Sequence, residues 1–463
     1  MTDNKESSVK VPYSQYDDPE KINPFPDLFG VTIGYGEAER LSAYKKLKKE
    51  LDEKFKEVRE GFGNDPFIET YRKDVSVYFD HFMNDIAPQI EKEIKRLFNG
   101  KYPKYMVTTG IGANELFTRF AASLNNKDKG RRLTWYVLNS PKEMLTLPKD
   151  ANVNNTLFLE FSRSGVAEET IKIHEYTPRK AKRIIFTNGG PLTELAKRDD
   201  NMVLDLPKEI SGRYGRNKTP ILLAPMFVAG MDVKKHWEDI EKAIDAFDIT
   251  DENSLPFVIA KFIYTSQKAN DANLIYLGCN DDDVGLLGDQ FLQFWNEGVN
   301  RTGNDILVSR FFGLPRDSHM SIEGILGNHL KKIGFFLLRT NMREQEKHPL
   351  VSAVPDVYDP KHEGLRFGDE DVIFAMANYR SLYELMPTLL IEIPREVDME
   401  LSAILGQLFA DITFIYSGII GVDPGSNPKV SFIREKSSFF LASAAEEMRK
   451  KDLPIEKAAR KLT

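Results

Sequence analysis

The sequence predicts an α/β protein built from two doubly wound, mainly parallel sheets, each the middle layer of a three-layer αβα sandwich. Short apolar runs ending in Gly, Ser or Asn alternate with helix-forming stretches from Tyr105 onward, and that alternation covers a parallel sheet with helices on both faces. The runs fall into two series that part near residue 255, at "DENSLPF". The chain has 463 residues, more than one hydrophobic core organises. Its 41% hydrophobic and 29% charged content suits a globular fold.

Taken in order, residues 1 to about 25 are polar and contain proline, an arm that orders only by packing on something. Glu37 to Phe98 is rich in Lys, Glu and Leu at helical spacing, which predicts an amphipathic helical lead-in with solvated charged faces. The first strand series reads "YMVTTG", "TWYVLN", "NTLFLEF", "RIIFTN" and "NMVLDL". An apolar stretch, "TPILLAPMFVAGMDV", and a helical stretch around Trp237 follow. The second series reads "NLIYLGC", "DILVSRFFG", "KKIGFFLLRT" and "TLLIEIP", and the tail from Ser437 reads as an amphipathic helix. The expected division is residues 1–100 for the arm and lead-in, 101–255 and 256–422 for the two sheets, and 423–463 for a closing loop and helix.

Several function classes are disfavoured. The formal net charge is −7 and the basic residues are scattered, so the chain lacks the footprint of a nucleic-acid binder. Cys279 is the one cysteine, which fits a reducing compartment. The amino terminus has no apolar leader core, and no stretch approaches the roughly 18 uninterrupted apolar residues a membrane span requires. A cytoplasmic location with no membrane partner is expected. No His/Cys cluster has metal-ligand spacing, so no metal or other cofactor is expected.

Ligands of open parallel sheets bind beyond the strand carboxyl ends, where helix N-termini offer unpaired N–H groups. "LEFSRSGVAEET", residues 159–170, has that strand–turn–helix form. It serves either as a plain helix N-cap or as an anion site formed by Ser162, Ser164, Arg163 and backbone donors. "TTGIGANEL" puts Gly110 and Gly112 after a strand, a common turn in this fold class. Arg213, in "EISGRYGRNKTP", is either a surface residue or an electrostatic stabiliser. Helical spacing in "DQFLQFWNEGVNRTGND" sets Gln293 and Glu297 on one face, and a carboxylate there is a solvent contact or a base. His319, in "FGLPRDSHMSIEG", is a structural turn residue or a proton carrier.

In order and spacing, these segments resemble the phosphoglucose isomerase family, built from two sugar-isomerase (SIS) domains. "GIGAN" resembles that family's GIGGS turn, "SRSGVAEET" its phosphate loop SKSGTTAET, "SGRYG" its GGRYS, "QFWNEGVNRTG" its Q-x-x-x-E-S-x-G-K, and "GLPRDSHMSIEG" its G-x-T-D-Q-H. The resemblance runs over most of residues 105–436. It implies that Glu297 transfers the proton, that Arg213 stabilises developing charge, and that His319 assists ring opening. It also implies a substrate-binding set of Gly112, Asn114, Ser162, Arg163, Ser164, Thr170 and Gln293.

The departures are specific. Val166 and Ala167 replace two threonines of the phosphate loop, Arg163 replaces a lysine, and Ser318 replaces the glutamine before the histidine. The catalytic lysine of the family's V-E-x-G-K run corresponds either to Lys436 or, by strict spacing in "NPKVSFIREKSS", to Arg434. The resemblance implies interconversion of glucose 6-phosphate and fructose 6-phosphate by a homodimer in which His319 acts across the interface. Two alternatives stand beside it. One is isomerisation of another hexose with an anionic C6, such as mannose 6-phosphate or a sulfonated hexose. The other is a non-catalytic SIS protein that binds a sugar phosphate.

Overall fold

The structure, a computed structural model, describes residues 22–36, 47, 51, 54–61, 66–72, 75–208, 213–299, 307–313, 325–341, 367–425, 443, 446 and 448. The lead-in contains strand β1 (Gly30–Gly34) and helices α1 (Pro66–Arg72), α2 (Val75–His81) and α3 (Ala87–Leu97), the last two joined through a π turn at Phe82–Ile86. The first sheet region holds β2 (Tyr105–Thr109), α4 (Ala113–Lys127), β3 (Thr134–Leu138), β4 (Thr156–Phe161), α5 (Glu168–Tyr176), β5 (Lys182–Phe186), α6 (Gly190–Arg198) and β6 (Met202–Leu204). A 3₁₀ segment (Arg213–Lys218) leads into α7 (Pro220–Ala229), α8 (Val233–Ala246) and α9 (Leu255–Asn270). The second region holds β7 (Leu274–Cys279), α10 (Asp282–Gly298), β8 (Leu307–Gly313), β9 (Lys332–Arg339), α11 (Phe367–Tyr383), β10 (Thr388–Ile393) and α12 (Met399–Ile420).

Both sheets are doubly wound. The first is all parallel, in the order β3-β2-β4-β5-β6. All residues of β2 and β4 are buried, as central strands covered on both faces must be. From β2 the chain winds to β3 on one side, then crosses to β4 on the other. The carboxyl ends of β2 and β4 therefore flank a topological switch point, where open α/β sheets bind their ligands. The second sheet runs β1-β10-β9-β7-β8, parallel except for β1, which pairs antiparallel with β10.

Every strand expected from the sequence is present. Strand β1 was not expected: "GVTIG" is short, ends in glycines and follows a polar arm, so it reads as loop until the edge of β10 is there to receive it.

Helix α12 is strongly apolar without being uninterrupted, since Gln407 and Asp411 break its run. Among the described residues it alone is long and apolar enough to cross a bilayer, yet 89% of its most apolar window is buried inside the protein. The Asp398 side chain caps its start by accepting from Leu401 N, and Gly421, at φ +71°, ends it. Its aromatic residues join the second sheet to α10: the Phe291 ring lies 5.3 Å from Phe409 and 4.8 Å from Phe335, and Trp295 lies 4.5 Å from Tyr416. Helix α10 is thereby held rigidly with its C-terminal turn directed at the first sheet's switch point.

Candidate functional site

Two loops leave the switch point, and α10 brings Gln293, with Glu297 bonded to it, to the first of them. Gly112 follows β2 at φ +60°, and a Cβ there would lie 3.6 Å from Gln293 Nε2. The Gln293 amide thus rests beside the Gly112 backbone. One turn further along α10, Gln293 Nε2 donates to Glu297 Oε1. The other carboxylate oxygen, Oε2, accepts from Arg213 Nε at 2.9 Å. Arg213 is buried, and its Nη1 donates to Pro424 O at 2.8 Å. Gly112, Arg213, Gln293 and Glu297 therefore form one cluster although they come from three separate segments of chain.

The second loop is the turn after β4. Gly165 N donates to Ser162 O at 2.9 Å, closing the turn, and Ala167 N, just ahead of α5, donates to Ser162 Oγ at 3.3 Å. The first turn of α5 then offers its remaining N–H groups at the strand ends. Gly165 has φ +69°, and a Cβ on it would sit 1.7 Å from Gly189 O. Only glycine allows that approach. The buttress is residues 187–190: Asn188 N donates to Arg163 O at 3.0 Å, and Leu192 N to Gly165 O at 3.1 Å.

Asn188 also pairs twice with Leu206, its Nδ2 donating to Leu206 O at 2.9 Å and its Oδ1 accepting from Leu206 N at 2.7 Å. The phosphate-loop look-alike is thus tied to the chain that leads toward Arg213. Sequence reasoning did not single out Asn188 or its glycines. The cue was present in "FTNGG", a turn dipeptide directly after a strand.

Individual positions differ in what they offer. Ser164 is exposed, and Ser162 is buried beneath it. Arg163 was expected to converge on an anion, and its Nη2 donates to Lys208 O at 2.6 Å. Val166 is 52% exposed at the head of α5, an isopropyl group where the resembled loop has a hydroxyl. Thr170 Oγ1 and Asn114 Oδ1 are buried without a partner among the described residues, so each retains hydrogen-bonding capacity. His319, Arg434 and Lys436 lie outside the described residues, as does most of the tail helix expected from Ser437. Among the described residues no group of three or more His, Cys, Asp or Glu is arranged to hold a metal ion.

A buried charge network braces α5 from behind. Glu160, two residues before Ser162, accepts from Arg183 Nε at 3.2 Å and meets His174 Nδ1 at 2.7 Å. The other ring nitrogen of His174 lies 3.1 Å from Asp199 Oδ2. Hydrogen bonds from Arg198 and then His174 hold the Asp199 carboxyl well below the usual carboxylate range. Glu160, His174 and Arg183 are buried, so the network fixes the α5 base rather than meeting a ligand.

Comparison with known proteins follows the same line. No family model matches the chain. Over 257 residues it is 23% identical to a glucose-6-phosphate isomerase of Methanocaldococcus jannaschii, covering 52% of this chain and 62% of that one. Over 234 residues it is 24% identical to a glucose-6-phosphate isomerase of Thermus thermophilus, covering 47% and 55%. The chain resembles glucose-6-phosphate isomerases. It spans less than two thirds of the length of either relative. Among solved structures, a glucose-6-phosphate isomerase of Chlamydia trachomatis superposes with a TM-score of 0.60 at 12% identity, covering 84% of this chain and 79% of that one. A hypothetical protein of Thermus thermophilus gives 0.68 at 17% identity, covering 89% and 100%. At such identities the structures share the fold, and the likeness to glucose-6-phosphate isomerase in sequence rests on the curated relatives.

Proposed function

We propose that the chain is an aldose–ketose isomerase that interconverts glucose 6-phosphate and fructose 6-phosphate through an enediolate. The observation that carries the reading is the Arg213–Glu297 pair, set against Gly112 at the switch point that also holds the loop of Ser162 to Gly165.

The chemistry needs one carboxylate and one cation. Moving the carbonyl from C1 to C2 requires removal of a weakly acidic C2 proton and delivery of a proton to C1. Glu297 performs both steps. The electron pair released at C2 collects on the carbonyl oxygen, where Arg213 offsets the charge. Gln293 holds the carboxylate in place. The loop at Ser162, Arg163, Ser164 and Thr170 binds the C6 anion, and binding energy from that remote group orients the reacting carbons. His319, reaching across from the partner subunit of a cytoplasmic homodimer, moves protons on the ring oxygen with the help of Lys436 or Arg434.

A coupled assay with fructose 6-phosphate tests the reading, and no turnover by the purified protein would overturn it. A second reading keeps the chemistry and changes the anion. It is favoured by Val166 and Ala167, which remove hydroxyl donors from the loop, and by the engagement of Arg163 with Lys208 O. A panel of mannose 6-phosphate and a 6-sulfonated hexose in the same assay separates the two. Sedimentation of active enzyme as a monomer would exclude the shared site.

A further inference from the structure

We propose that Lys218 is a positioning residue for Arg213, anchoring the far end of the 3₁₀ segment whose near end presents the arginine to Glu297. The proposal rests on the reading above only where it gives Arg213 a catalytic role.

The segment Arg213–Lys218 has six residues. A 3₁₀ turn of that length has weak internal hydrogen bonding and does not hold its own position, so side chains must hold it. At the near end are the bonds to Glu297 and Pro424 O. Next, the Tyr214 ring packs 5.2 Å from Phe294 and 4.6 Å from Phe414. At the far end Lys218 is 2% exposed, and its Nζ donates to Tyr71 O at 2.8 Å and to Gln407 Oε1 at 2.7 Å. Gln407 Nε2 in turn donates to Asp411 Oδ1 at 2.9 Å, and Asp411 pairs with Arg72. Arg72 closes the network with a bond from Nη2 to Ile244 O at 2.7 Å. Lys218 therefore ties the segment to α1 and α12 together.

An amine is a costly way to fill that space. Burial pulls the Lys218 ammonium down to about 7, against the attraction of Asp411, and an apolar side chain of similar length avoids that cost. What the amine adds is direction. Its two acceptors lie on different helices, so the end of the segment has one place to sit, and the register of Arg213 against Glu297 follows from it.

The test is the Lys218→Met variant in protein labelled with ¹⁵N-arginine. The Nε–H of Arg213, assigned by its loss in Arg213→Lys, should exchange with solvent at least about tenfold faster in Lys218→Met than in wild type. Gln407→Leu, which removes one acceptor and spares the lysine, should accelerate exchange less and in the same direction, and it stands in if Lys218→Met does not fold. Unchanged exchange in the folded variants would overturn the proposal. In kinetics, kcat should fall about tenfold with KM within twofold. Arg213→Ala with Lys218→Met should be no slower than Arg213→Ala alone, because the lysine acts through the arginine. Additive losses would overturn it. The exchange measurement needs no substrate, so its outcome decides the role of Lys218 whether or not the protein isomerises a sugar phosphate.

Discussion

Arg213 and Glu297 lie 84 positions apart in the chain and meet through one hydrogen bond, Nε to Oε2, at 2.9 Å. The second oxygen of the carboxylate is held by Gln293, so both oxygens have fixed directions before any substrate arrives. Such preorganisation lets one group remove and return a proton with little reorientation. Glu297→Gln keeps the shape and removes the base, and its kcat for fructose 6-phosphate should fall by about 10² to 10⁴. A coupled assay at matched circular dichroism checks this. A variant as fast as wild type would remove Glu297 from the reaction.

The turn after β4 is sterically closed by Gly189. With φ +69° and its missing Cβ pointing within 1.7 Å of Gly189 O, Gly165 tolerates no side chain. Gly165→Ala should raise KM for a phosphosugar by about tenfold or more and destabilise the fold by about 1–3 kcal/mol, since the backbone must leave a conformation that only glycine adopts comfortably. Thermal unfolding and initial-rate kinetics read the two effects. An unchanged KM would show that the turn does not shape the anion site.

The strands and the two winding series were legible in the sequence because buried parallel strands write themselves as short apolar runs, "TLFLEF" and "LIYLGC" being examples. The strand at Gly30–Gly34 was not, since its pairing partner lies far away at Thr388–Ile393 and nothing local demands it. The helical offset of Gln293 and Glu297 placed those two side chains on one face in advance, and they meet there. The direct contact of Glu297 with Arg213 was not legible. It depends on how the 3₁₀ segment docks on α10, through the packing of Tyr214 and the burial of Lys218. Asn188 escaped notice for a similar reason, because its bonds to Arg163 and Leu206 exist only once three strand ends are side by side.

Arg163 distinguishes binding from chemistry. Its guanidinium is held by the Lys208 carbonyl at 2.6 Å and stands in the loop that takes the C6 anion in the proposed reaction. Arg163→Ala should raise KM for a C6-anionic hexose severalfold and leave kcat within about twofold, because the contact is the same in ground and transition states. Arg163→Lys should recover part of the loss, the point charge returning without the planar fork. Equal KM values in wild type and Arg163→Ala would reject a role in anion binding.

His236 predicts how the protein meets acid. It is buried with its Nε2 3.3 Å from Asn217 O, one residue before Lys218. Burial, opposed by hydrogen bonds to the backbone at Asn217 and Met399 and aided by Lys235, lowers its pKa from 6.5 to about 4. Between those values the unfolded chain binds a proton that the folded chain refuses, so stability rises with pH across the window. The contribution is complete above about 6.5 and is lost as pH falls through about 4. Its size is on the order of 3 kcal/mol. Carboxylates titrate in the same range, so the comparison is with His236→Gln, which keeps a donor for Asn217 O and cannot charge. Urea unfolding at pH 7 and pH 4.5 should show wild type losing more stability than the variant. Equal losses would mean that His236 takes up its proton at the same pH in the folded and unfolded chain, so that burial does not hold the ring neutral.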